Sequence, residues 1–200
     1  MNKTFSGAYG IVLRIDNQTA DLAKRLSNKF KNNLISLDKT PSHITLYHSN
    51  FLNLAQDTII ETLESIADIV TENIVLEQIA QYEKIFFFWY VDPACRGRKM
   101  LQKVHETSLD LKEFFSKDSE QQTDKEGLKL SGVAEEYVRT HGYQFCYELF
   151  LPHITLAVCK NTKTLQYPKK YSHTAKIISV DFVEVGEWGT IENVIFSMKT

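Results

Sequence analysis

Ser42-His43-Ile44-Thr45-Leu46 and Pro152-His153-Ile154-Thr155-Leu156 share the run His-Ile-Thr-Leu, once in each half of a 200-residue chain. The six histidines make about fifteen pairs, and a following position matches by chance roughly one time in fifteen at ordinary usage. Coincidence is therefore a poor account of three successive matches. Side chains at i and i+2 of a strand share a face. Each run thus sets an imidazole beside a hydroxyl and turns two apolar residues to the other side. Imidazole is the side chain best suited to move protons near neutral pH. A threonine hydroxyl donates a hydrogen bond to a phosphate oxygen without adding charge. Two such units facing each other could bracket one phosphate, one histidine as base and the other as acid.

Around the first run the chain reads as a strand (Tyr9 to Ile15), a helix capped by Asn17 or Thr19, the short strand His43 to Tyr47, and a helix from Leu54 to Val70. Asn73 to Ala80 and Ile85 to Val91 form a strand pair, followed by a long helix, Arg98 to Phe115. A polar linker (116–131), a helix (Val133 to Thr140), the strand His153 to Val158 and a loop (161–172) come next. Lys176 to Val185 and Asn193 to Met198 are the final strands, flanking the turn Gly186-Glu187-Trp188-Gly189. This order predicts an α+β protein in two related halves, forming one domain over 1–200.

With 43% hydrophobic residues, 8 Gly and 4 Pro, the chain is neither disordered nor of low complexity. Lys+Arg at 23 against Asp+Glu at 25 gives a charge of -2. That lacks the basic excess of a chain gripping long double-stranded nucleic acid through its phosphates, so nucleic-acid contact is expected to be short and local. Cys95, Cys146 and Cys159 show no CxxC spacing, which argues against a disulfide framework or structural zinc and for a reducing compartment. No signal peptide is read, and no apolar run approaches the roughly 20 residues of a membrane-spanning helix. The expectation is a cytoplasmic protein without membrane contact, and a monomer.

The pair of His-x-Thr-apolar motifs resembles the two-histidine (2H) phosphoesterase superfamily, which includes the RNA 2',3'-cyclic phosphodiesterases, also known as 2'-5' RNA ligases. The resemblance implies a bilobal pseudo-duplicated fold, two antiparallel sheets flanking a central cleft with helices outside, and the motifs facing across it. It assigns His43, Thr45, His153 and Thr155 as the catalytic set. It implies a metal-independent phosphodiesterase with no cofactor, hydrolysing a 2',3'-cyclic phosphate or 2'-5' linkage of a small nucleotide or short RNA end. The alternatives are a 2'-5' RNA ligase-like activity and a binding module that recognises a nucleotide or RNA end without turnover.

Three further residues are candidate substrate contacts. Tyr47 shares the face of His43 and Thr45 if the strand is regular. Trp89 (or Phe88) could stack a base, although an aromatic run in a strand is usually core. Lys160 stands close behind the second motif, where a phosphate contact is possible. His43 and His48 are expected on opposite faces of the strand, which argues against a metal between them. Arg96, Arg98 and Lys99 read as a solvated helix start, and His105, His141 and His173 as structural or exposed.

Overall fold

The structure is a computed structural model describing residues 3–117, 132–160 and 169–200. In chain order its elements are β1 (Thr4–Ile15), α1 (Asn17–Ser27), β2 (His43–Ala55), α2 (Gln56–Ile69), β3 (Ile74–Tyr82), β4 (Phe86–Val91), α3 (Gly97–Ser108), α4 (Val133–His141), β5 (His153–Val158), β6 (Lys169–Ala175), β7 (Ile177–Val185) and β8 (Ile191–Lys199). Short 3-10 turns lie at Leu109–Phe114, Tyr147–Leu149 and Glu187–Gly189.

The strands form two four-stranded antiparallel sheets, ordered β2-β1-β7-β8 and β5-β4-β3-β6. The unit β1-α1-β2 recurs as β4-α3-β5, the second copy carrying the extra helix α4 before its edge strand; both edge strands open on His-Ile-Thr-Leu. The halves are interleaved. The first sheet takes strands from both ends of the chain, the second takes its strands from the middle, and α1 packs on β5 and β6 of the second sheet while α3 packs on β2 of the first. This is the bilobal α+β architecture that the sequence predicts.

One large core runs through both lobes, holding Ile11 and Leu13 of β1, Ile44 and Leu46 of β2, Phe87 and Trp89 of β4, and Ile154 and Leu156 of β5. Smaller clusters lie apart from it: Val12 with Val183, Val185 and Ile191, and Phe86 and Phe88 with Ile35 and Val158. A strand with apolar residues on both faces supplies both packings, which is why Phe86 to Trp89 are all buried.

Several boundaries differ from the sequence reading. β6 falls where a loop was expected, because its KKYSHTA is polar and mostly exposed and carries no apolar alternation. The linker expected over 116–131 lies, from 118 onward, outside the described residues, as does 161–168. The cap of α1 is Asp16, one residue before the expected pair: Oδ1 accepts from the Thr19 amide (2.9 Å), and Oδ2 from the Thr19 hydroxyl (2.8 Å) and the Lys176 amide (2.8 Å). Burial alone would raise the Asp16 carboxyl, but the Thr19 and Lys176 amides outweigh it and hold the group below its ordinary 3.8. Asp16→Ala is expected to cost about 1–2 kcal/mol by urea unfolding at neutral pH. A depressed carboxylate stabilises above its unfolded value and loses that as pH falls, so the wild-type advantage should shrink below pH 3.8. Equal midpoints for variant and wild type at neutral pH would show that the cap is silent.

Candidate active site

Both motif strands are sheet edges, and the two edges lie against each other. Along His43–Leu46 and His153–Leu156 the burial pattern is the same: histidine and threonine half-buried, isoleucine and leucine in the core. The imidazoles are tethered alike. Nδ1 of His43 bonds the Pro41 carbonyl at 2.8 Å, and Nδ1 of His153 bonds the Leu151 carbonyl. A carbonyl only accepts, so each Nδ1 carries the hydrogen. Nε2 is then the nitrogen that can take up a proton in both, and backbone two residues upstream holds each ring.

The repeat extends to a defect. In the β1–β2 ladder Thr45 pairs Val12 and Tyr47 pairs Ile11, leaving Leu46 unmatched. In the β4–β5 ladder Thr155 pairs Phe88 and Ala157 pairs Phe87, leaving Leu156 unmatched. Each motif therefore ends in a one-residue bulge, which kinks the strand and re-aims its side chains. Gly10 lies beside the first bulge, where a Cβ would come 2.8 Å from that of His48. The bulge corrects two expectations. Tyr47 turns into the core, fully buried, with its hydroxyl donating to the His141 carbonyl at 2.6 Å. His48 comes to the side of His43, whose charge it feels, and packs its ring on Tyr143 at 4.6 Å.

His43 and Thr155, one from each motif, line a single chamber of about 10 Å³, room for roughly one water. The Gly186–Thr190 turn roofs it, with Trp188 at φ +61° and Gly189 at φ +71°. On the outer side of Trp188 the same turn and the 34–40 segment line an open groove of about 470 Å³. His153 stacks on Phe88 (centroids 3.6 Å, planes 21°), with Tyr90 and Phe145 further out at 6.1 Å each. Opposite His43 in the ladder stands Arg14, whose Nη1 pairs with Asp181 at 3.3 Å. The equivalent place opposite His153 holds Tyr90.

Burial pulls the His43 imidazole below its ordinary 6.5, and the Arg14 charge adds to this; the Pro41 and Gly189 carbonyls and Asp181 oppose it. Burial pushes His153 down to about 4, assisted by the charge of His43 and opposed by its bond to Leu151. Both rings are therefore neutral in the free protein near pH 7, and an anion between them would favour protonating one.

Of the other expected contacts, Trp89 is fully buried, its Nε1–H donating to the Tyr171 carbonyl at 2.9 Å, and belongs to the core. The ladder explains this: Trp89 pairs core-facing Ile154, whereas Phe88 pairs Thr155. Lys160 is exposed, its Nζ 5.6 Å from the centre of the Trp188 ring. Arg98 is engaged in packing, donating to the Phe150 carbonyl at 2.9 Å. Sequence reasoning missed Arg14, which became legible only once β1 was registered against His43, and Trp188, where the flanking glycines marked a turn but not what it covers. Among the described residues no three His, Cys, Asp or Glu side chains gather as a metal site.

Fold and site together define a class: a bilobal α+β protein whose two lobes each present a His-x-Thr pair on an edge strand. The chain is similar in fold to the solved structure of TT0787 of Thermus thermophilus, with a TM-score of 0.62 over 96% of this chain and 97% of that one, at 14% sequence identity. No family model and no curated protein matches the chain.

Proposed function

We propose that the protein is a metal-independent phosphodiesterase that opens a 2',3'-cyclic phosphate, or cleaves a 2'-5' linkage, on a nucleotide or short RNA end. The observation that carries this reading is the matched pair of histidines, each with Nδ1 tied to the carbonyl two residues upstream and each beside a threonine. One neutral imidazole takes a proton from water at Nε2 as the water oxygen bonds to phosphorus. The bond from phosphorus to one ribose oxygen breaks, and that oxygen takes the proton from Nε2 of the other, protonated imidazole. Thr45 and Thr155 donate to the non-bridging oxygens, where charge builds. Arg14, beside His43, adds a positive charge that Asp181 holds in place. Since the site is built nearly symmetrically, the orientation of the bound phosphodiester decides which histidine is base and which is acid. The chamber under Trp188 is smaller than a phosphate, so the Gly186–Thr190 turn shifts as substrate enters.

The test is turnover of a 2',3'-cyclic nucleotide and of a short 2'-5'-linked oligonucleotide in EDTA. Hydrolysis that persists in chelator supports the proposal, and the preferred substrate names the bond. Joining of 2'-5' ends instead of cleavage would point to the ligase direction. Tight nucleotide binding without consumption would replace the enzyme reading with a binding module.

A further inference from the structure

A bulge leaves its extra residue out of the ladder, so Leu46 and Leu156, both fully buried, need other partners for their carbonyls. Each finds a side-chain donor on a segment that packs across from the other lobe. Nδ1–H of His105, on α3, donates to the Leu46 carbonyl at 2.7 Å. The amide of Asn33, just beyond α1, donates to the Leu156 carbonyl at 3.2 Å.

Both donors are themselves fixed. His105 is fully buried, lies flat on Phe150 (4.0 Å, 3°), and accepts from the Tyr147 amide at Nε2 (3.0 Å). Asn33 accepts from the amides of Ile35 (3.1 Å) and Val158 (3.0 Å). Arg98, Gln102 and His105 share one face of α3, and all three bond the 147–150 segment that leads into the second motif. His105 thus joins the bulge behind the first motif to the approach of the second.

We infer that His105 and Asn33 are positioning residues, each clamping the bulge behind one His-Thr pair so that the two pairs keep their facing geometry. The inference rests on the acid–base reading of those pairs. A residue acting in this way sets kcat through the placement of reacting groups rather than through substrate binding.

Three full-length variants test it. His105→Gln reaches Tyr147 but loses the donor to Leu46. His105→Asn keeps a donor at the Nδ1 position and gives up the bond to Tyr147. Asn33→Ala removes the clamp on Leu156. Turnover and the imidazole titrations of His43 and His153, followed by NMR, are the readouts. His105→Gln should lower kcat by about 10–100-fold with KM within about twofold, and should shift the His43 titration but not that of His153. His105→Asn should restore kcat to within about threefold of wild type despite its own loss of thermal stability. Asn33→Ala should shift the His153 titration and leave His43 in place. Equal losses of kcat in the two His105 variants, or both titrations moving together in every variant, would reduce the clamps to general scaffold and overturn the inference. If His105→Gln does not fold, the other two decide: a loss of kcat beyond about tenfold in His105→Asn, or movement of both titrations in Asn33→Ala, overturns the inference. Absence of wild-type turnover would sink the enzymatic reading, and the reciprocal titration pattern would then judge the clamps alone.

Discussion

His153→Asn keeps a donor for the Leu151 carbonyl, removes Nε2, and is expected to lower kcat for a 2',3'-cyclic phosphate by about 10³-fold or more. His43→Asn should do the same at Pro41. A factor of 10³ corresponds to about 4 kcal/mol of transition-state stabilisation, within the usual scope of a positioned acid or base. In the proposed mechanism proton removal and proton donation belong to one displacement, so the double variant should be little worse than either single one. Thr45→Val and Thr155→Val remove only a donor to the developing charge, so about 10²-fold is expected from each. KM should move far less than kcat throughout. Full activity in either histidine variant would mean that catalysis lies elsewhere or in a contaminant.

Acid should weaken the fold before carboxylates protonate. Burial pushes His105 down to about 4, against a bond to Leu46 that favours the charged ring. The unfolded chain binds this proton from about pH 6.5 downward and the folded chain only near 4, so stability falls across that window and is level above it. For His105, fully buried, the loss approaches about 3 kcal/mol at the bottom of the window. Burial lowers His48 and His153 to about 4 as well, and the charge of His43 adds to it in both, but these partly exposed rings contribute less. Urea unfolding at pH 7, 6 and 5 should therefore show a steepening decline, shallower in His105→Asn. A flat profile from pH 7 to 5 would refute this. Activity pulls the other way. In the proposed mechanism one lowered imidazole must be protonated and the other neutral, so kcat/KM should peak below pH 6.5 and fall again in stronger acid as the second ring protonates and the fold weakens.

The side-by-side placement of histidine and threonine in each motif was legible because strand alternation is a local property: His43 and Thr45 share a face whatever they pair with. The bulge after Thr45 was not, since an extra residue exists only relative to a partner strand. Nothing in Thr45-Leu46-Tyr47 distinguishes it, and both Tyr47 and His48 were consequently assigned to the wrong side. Trp89 is a related case. The run Phe86 to Tyr90 is apolar on both faces, and only pairing with β5 says that Phe88 meets Thr155 while Trp89 meets Ile154. β6 escaped for the opposite reason: an exposed edge strand needs no apolar pattern, and KKYSHTA has none. Asp16 was passed over because Asn17 and Thr19 are also good caps. Asp16 takes the cap by accepting from the Thr19 amide, and it gains a further bond from the Lys176 amide, remote in sequence.

The interleaving of the two sheets has a consequence for a chain made from its N-terminus on the ribosome. β1 and β2 emerge first, yet β1 has no second neighbour until β7 arrives, after every strand of the other sheet. A nascent hairpin with one bare edge invites pairing with the wrong strand. The sheet begun first is therefore completed last, and each half's helix has meanwhile docked on the other. Release before β7 should leave a finished second sheet beside an open first one, with His43 displayed on a strand whose neighbour β1 is still half-bonded. Such a product would be a substrate for chaperones and proteases rather than half of a working site.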